Sequence, residues 1–169
     1  MSYLSFKFVA SNAIRPSIIL SNYSSELTIE YETFYHPEGY SSGHHYEVIQ
    51  IIVHTTGTYS FTCVSNMDTY GYIYNGTFTQ LTYEPRNIID RNDDMGENGQ
   101  FKVTALLQAD LIYTLIVTTY MAGVTGPFSI IALGLDNIHF IRMNIPRTTT
   151  SSMISKYRLF SDHIFIWLL

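Results

Sequence analysis

Apolar and polar residues alternate with a period of two in one short segment after another, which restricts the chain to pleated strands with one buried face. In "QFKVTALL" Phe101, Val103, Ala105 and Leu107 share a face, and in "IYTLIVTTY" Tyr113, Leu115 and Val117 do the same. "GPFSIIAL" repeats this with Phe128, Ile130 and Ala132, while "ELTIEYETF" sets Leu27, Ile29 and Tyr31 against Thr28, Glu30 and Glu32. In "YEVIQIIVHTTGTYSFTCV" Ile49, Ile51 and Val53 run to a Thr-Thr-Gly turn at 55–57, and Tyr59, Phe61 and Cys63 take up the pattern again. That stretch predicts a hairpin. No segment carries a helical period with caps. About eight strands, roughly 8 to 14 residues apart, predict an all-β chain forming a single antiparallel, jelly-roll-like β-sandwich.

A chain of 169 residues supports one ordinary core. The expected organisation is an N-terminal extension over 1–25, a sandwich module over 26–134, and a tail over 135–169. The tail contains "RTTTSS" and ends in the hydrophobic "IFIWLL", so it reads as linker-like and disordered. Composition agrees with strands: charged residues are only 14 %, while fourteen Tyr and ten Phe suit pleated, half-buried surfaces.

Charge is divided along the chain. Residues 26–110 hold twelve of the fourteen acids against Arg86, Arg91 and Lys102, and the two ends are mildly basic. An acidic body repels phosphate backbones, which argues against nucleic acid and for a cation as partner. No apolar stretch approaches the ~20 residues of a bilayer-spanning helix. Cys63 is the sole cysteine, so no intrachain disulfide can form. Its parity with Tyr59 and Phe61 makes it a core thiol rather than a nucleophile. Asn22-Tyr23-Ser24 and Asn75-Gly76-Thr77 are glycosylation candidates and suit an extracellular or cell-surface protein. The opening "MSYLSFKFVASNAIRPSIIL" is a poor signal peptide, because Lys7 and Arg15-Pro16 interrupt its apolar runs. Secretion would then need a cryptic signal, or a longer chain of which this is a fragment.

The segment "NIIDRNDDMGENGQFKV" crowds Asp90, Asp93, Asp94 and Glu97 with Asn92 and Asn98. Calcium takes six to eight oxygen ligands from such carboxylates, amides and backbone carbonyls, and Gly96 and Gly99 would let the loop curl around an ion. Zinc would ask for Cys or His. An EF-hand is excluded: with Asp90 first, Met95 stands where the turn Gly belongs and Phe101 where the bidentate Glu belongs. The alternative is a solvated Asn/Asp/Gly turn. Asp68, at the mouth of the strand "DTYGYIYN", is the second element that favours a site, against a plain strand-end cap.

These pieces in order resemble the bacterial pre-peptidase C-terminal domain and similar tandem β-sandwich modules of invertebrate cell-surface proteins. The residues that carry the resemblance are Asp68-Thr69-Tyr70-Gly71-Tyr72-Ile73-Tyr74, Asn92-Asp93-Asp94, "LQADLIYTLIVTTY" and "TGPFSII", within 46–133. It implies a jelly-roll-like sandwich in which Asp68, Asp93 and Asp94 bind calcium; the composition of the acidic loop adds Asn92 and Glu97 as candidate oxygen donors. Asp110 departs from it, standing where the family usually has Gly, and neither the terminal extensions nor a peptidase domain matches.

Three other groupings compete. His36, His44, His45 and His54 invite zinc, yet adjacent His44 and His45 point to opposite faces of a strand and read as solvated loop residues. Tyr70, Tyr72 and Tyr74, with Tyr83 and Tyr120, offer a binding surface toward solvent or a neighbouring module, or else a packing ladder. Asp93 and Asp94 as a hydrolase pair lack a third group and a pocket. The sequence therefore predicts a non-catalytic extracellular adhesion or binding module, calcium-stabilised, with a protein or carbohydrate ligand and neighbouring copies of the module as partners. The alternatives are a ligand-free structural repeat of a larger surface protein and, less favoured, a hydrolase.

Overall fold

A computed structural model of the chain describes residues 17–36, 41–78 and 87–144, apart from the side chains of 34–36 and 41. The alternating segments form β1 (Ile19–Leu27), β2 (Thr33–His36), β3 (Ser41–His45), β4 (Glu47–Ile52), β5 (Gly57–Ser65) and β6 (Thr69–Asn75). They continue as β7 (Ile88–Asn92), β8 (Lys102–Leu107), β9 (Tyr113–Thr119), β10 (Gly126–Gly134) and β11 (His139–Met143). Two antiparallel sheets result, ordered β1-β10-β5-β8 and β11-β4-β9-β6-β7, with β2 and β3 paired separately. Among the described residues no helix is long and apolar enough to cross a membrane.

The pairing is nested: β1 with β10, β4 with β9, β5 with β8, and β6 with β7. A long antiparallel ribbon folded over on itself produces this order, which is that of an eight-stranded jelly roll. β11 extends the larger sheet beyond β4. The expected all-β sandwich is therefore the fold.

Several expectations shift. β1 starts at Ile19, upstream of the boundary at 26, and β11 lies beyond 134, so both flanks supply strands that alternation at the centre did not reveal. The stretch "ELTIEYETF" is the end of β1 and a turn closed by Tyr31 N–H donating to the Thr28 carbonyl (3.1 Å), then β2. The rest of the tail, 145–169, lies outside the described residues. The hairpin predicted across 55–57 is a corner instead, because β4 and β5 belong to opposite sheets. Alternation cannot separate these cases: strands that face one another across a core and strands side by side present the same apolar parity.

Between the sheets lie Tyr59, Phe61 and Cys63 of β5, Val103 and Leu107 of β8, and Phe128 and Ile130 of β10, against Ile49, Ile51, Ile73, Leu115 and Val117. Each fully buried large apolar side chain stabilises the fold by about 1.5–3 kcal/mol. The larger sheet is buried on its other face as well, where Tyr70, Tyr72 and Tyr74 pack with Tyr46, Val48, Phe78 and Ile116. Register places Glu47 opposite Val117 and Thr69 opposite Thr119, so β4 and β6 begin where β9 ends. The connections after β1, β5, β7 and β9 thus meet at one end of the sandwich.

Candidate functional site

Two of those connections cross between the sheets side by side. Residues 66–68 join β5 to β6, and 93–101 join β7 to β8. Gln100 pins them together: its Nε2 donates to the Met67 carbonyl (2.6 Å) and the Asn98 carbonyl (3.3 Å), and its Oε1 accepts from Thr69 Oγ1 (3.1 Å). Thr69 N–H adds a bond to the Gly99 carbonyl (3.1 Å). Gln100 is almost fully buried, and satisfying its amide there makes the crossing rigid. The sequence reading passed over it; its one signal is an amide inside an otherwise apolar parity next to Phe101.

This clamp brings Asp68 into the field of the acidic loop. Partial burial first, then the charges of Asp94 and Asp93, hold the Asp68 carboxyl above its ordinary range. The three residues that sequence order grouped are therefore electrostatic neighbours. Their donors are all oxygen, the kind calcium takes, and Asp93 and Asp94 lie on the loop that carries Gly96 and Gly99. Among the described residues, however, no three His, Cys, Asp or Glu side chains are gathered as a ligand set. Asn92 is committed locally, its Oδ1 accepting from Met95 N–H (2.6 Å) as a turn acceptor. Glu97 is exposed and lines a separate groove of about 490 Å³ with Met95, Asn98, Lys102, Val64 and Ile131.

A second constellation at the same end was not foreseen. Glu47 opens β4 with the parity of Ile49 and Ile51, so its carboxylate points between the sheets and is 3 % exposed. Ser25 Oγ donates to Oε2 (2.6 Å), Tyr31 Oη donates to Oε2 (3.3 Å), and Tyr23 Oη donates to Oε1. Arg142 Nη2 approaches Oε2 at 3.6 Å, an ion pair beyond hydrogen-bonding distance, and its guanidinium lies 5.0 Å from the Tyr31 ring centroid. Burial pushes the Glu47 carboxyl up, against the opposing hydrogen bonds from Ser25 and Tyr23. An uncompensated buried carboxylate costs several kcal/mol, so β1, the turn after it, and β11 are all tied to β4 through this one group. The signal was present: an acid in the inward parity of "EVIQII".

The remaining candidates fall as follows. Tyr70, Tyr72 and Tyr74 do lie opposite the core face, yet they are 4 %, 0 % and 3 % exposed and form a stacked ladder, Tyr70 to Tyr72 at 4.8 Å, rather than a solvent-facing surface. Tyr120 is exposed, and Tyr83 lies outside the described residues. His44 is not a solvated loop residue: it is 1 % exposed, and its Nδ1 is 3.0 Å from the Thr119 carbonyl, because β3 docks on the end of β9. His45 Nδ1 meets the Tyr31 carbonyl, His54 Nδ1 meets Asp110 at 2.8 Å, and the His36 side chain lies outside the description. Cys63 is buried with its thiol pushed up to about 11 by desolvation. Asn22 and Asn75 are both exposed.

The sequence matches no family model and none of the curated proteins.

Proposed function

We propose that the chain is a non-catalytic β-sandwich binding module of extracellular or cell-surface type, serving adhesion, whose paired loops take calcium through Asp68, Asp93 and Asp94. The single observation behind the calcium reading is that the Gln100 clamp holds Asp68 close enough to Asp94 and Asp93 for their charges to raise its carboxyl. An ion there would neutralise mutually repelling carboxylates and take its other oxygens from backbone carbonyls and water. Because the carboxylates are not gathered as a ligand set, closing on the ion costs loop entropy. Affinity is then expected in the weak range of extracellular modules, roughly 10⁻⁴–10⁻³ M. The exposed sequons at Asn22 and Asn75 and the resemblance of residues 46–133 to pre-peptidase C-terminal domains support the surface setting, with a protein or carbohydrate ligand or neighbouring modules as partners.

A second reading, a ligand-free structural repeat, is favoured by the commitment of Asn92 to its own turn. Melting the protein with calcium, magnesium or chelator separates the two. A rise in melting temperature specific to calcium at millimolar concentration, abolished in Asp68→Asn and in Asp93→Asn/Asp94→Asn, supports the site. An unchanged melt in the folded wild type sinks it and leaves the structural repeat.

A further inference from the structure

At the end of the sandwich opposite the acidic loop, two imidazoles lie side by side. His139 opens β11 opposite Ile52 of β4, and His54 follows Ile52 by two positions, so the pair is diagonal across the two strands. Ile51 and Val53 point into the core, which leaves both imidazoles exposed on the other side, with ring centroids 5.3 Å apart. Asp110 orients the first of them. Its N–H donates to the Val53 carbonyl (2.8 Å), and its carboxylate meets His54 Nδ1 at 2.8 Å. A carboxylate only accepts, so Nδ1 carries the proton and, in the neutral ring, Nε2 holds the lone pair. We propose that His54 and His139 together bind a divalent transition-metal ion of the zinc and copper class, with Asp110 as the positioning residue that leaves His54 Nε2 to the metal.

Spacing, tautomer and donor type select that class. Two imidazoles on one tetrahedral ion, each nitrogen about 2.0–2.1 Å from the metal, set their ring centroids roughly 5 Å apart, close to the spacing present. Metal-bound histidines commonly donate their other ring N–H to a carboxylate, as His54 does to Asp110. Both side chains lie at the surface, so turning the His139 ring to present a nitrogen costs little beyond rotamer entropy. Imidazole suits zinc and copper, whereas calcium and magnesium take oxygen. Among the described residues no third His, Cys, Asp or Glu side chain joins the pair as a ligand, so water completes the coordination and binding is weaker than at a structural zinc site. The ion would clip β11, the outermost strand of its sheet, to the corner that follows β4.

The test is a titration of the untagged whole chain with zinc sulfate, read by amide and histidine-ring NMR. Saturable one-to-one shifts are expected at His54, His139 and their neighbours Val53 and Phe140, with Nε2 as the bound nitrogen of His54. His54→Gln and His139→Gln, at exposed positions that leave the core untouched, should each lose this binding. Asp110→Asn keeps a residue that tolerates the left-handed backbone there and should bind about tenfold more weakly, the low end for losing the carboxylate behind a metal-bound histidine. His36→Gln and His45→Gln should bind as wild type does. Zinc should also raise the melting temperature of wild type and leave that of the His54 and His139 variants unchanged. Magnesium at equal concentration should shift neither ring. Absence of saturable shifts leaves the two rings as a packing contact and overturns the proposal. Wild-type affinity in either the His54 or the His139 variant overturns it as well, as does loss of binding in the His36 or His45 variant. Coordination through His54 Nδ1, or wild-type affinity in Asp110→Asn, overturns the role given to Asp110. Asp93→Asn/Asp94→Asn, which tests the acidic loop at the other end, should leave zinc affinity unchanged, so the two sites stand or fail separately.

Discussion

The ring of Phe101 lies on the Cα of Gly71, filling the space where any other residue would carry Cβ. Gly71 belongs to one sheet and Phe101 ends the loop that crosses to the other, so a side chain's absence on β6 sets how closely the acidic loop seats. Gly71→Ala should push Phe101 outward, loosen the adjoining Gln100 clamp and destabilise the protein by about 1–3 kcal/mol. Phe101→Leu in the same chain should recover part of this. Urea unfolding of the four proteins checks it; additive losses would show that the two residues do not share one space.

The Asp68 carboxyl is raised in the folded protein, first by desolvation and then by Asp94 and Asp93. A raised acid favours its neutral form on folding, so its stabilising share is full below the ordinary value of 3.8 and is lost as pH rises through the folded value. Asp68→Asn should therefore raise the melting temperature at neutral pH and flatten its decline from acid to neutral. Solvent screening keeps the gain below about 1 kcal/mol. Melting curves across that pH range, without calcium, measure it, and a variant that melts lower at neutral pH contradicts it.

Asp110 adopts φ +59°, the left-handed region, and its N–H donates to the Val53 carbonyl (2.8 Å). Gly enters this region freely, and Asp is among the few other residues that tolerate it. Asp110→Gly should stay within about 1 kcal/mol of wild type, since the exposed contact with His54 Nδ1 contributes little. Asp110→Val should lose at least about 1–2 kcal/mol. Chemical denaturation ranks them, and equal stability of the Gly and Val variants would refute the backbone account.

Cys63 is 1 % exposed, and burial pushes its thiol up to about 11. The thiolate is the reactive species, so labelling by a disulfide reagent at neutral pH should be far slower in the native protein than in urea. The expected ratio is at least ~10². Fast native labelling would mean that β5 opens locally.

Parity within each strand was legible because a sheet with one buried face forces apolar residues onto alternate positions. Phe101, Val103, Ala105 and Leu107 are buried as expected, and so are Phe128, Ile130 and Ala132. The crowding of Asp93 and Asp94 is local and legible, whereas the nearness of Asp68 to their charges depends on the Gln100 contact between two crossings. That Asn92 would spend its oxygen on Met95 was not legible, since a turn acceptor and a metal ligand use the same atom.

What the sequence determined by itself is the class of the fold and the two faces of its strands, which depend on neighbours one and two positions away. Which strand lies beside which, whether β4 and β5 form a hairpin or a corner, and whether the Tyr70, Tyr72 and Tyr74 ladder meets water or protein were decided only by tertiary structure. The same holds for Glu47: its inward parity is local, but the hydroxyls of Tyr23, Ser25 and Tyr31 and the guanidinium of Arg142 that make its burial tolerable come from three other parts of the chain. Partners so distant in sequence leave no periodic trace, because only the closing of the two sheets brings them within reach.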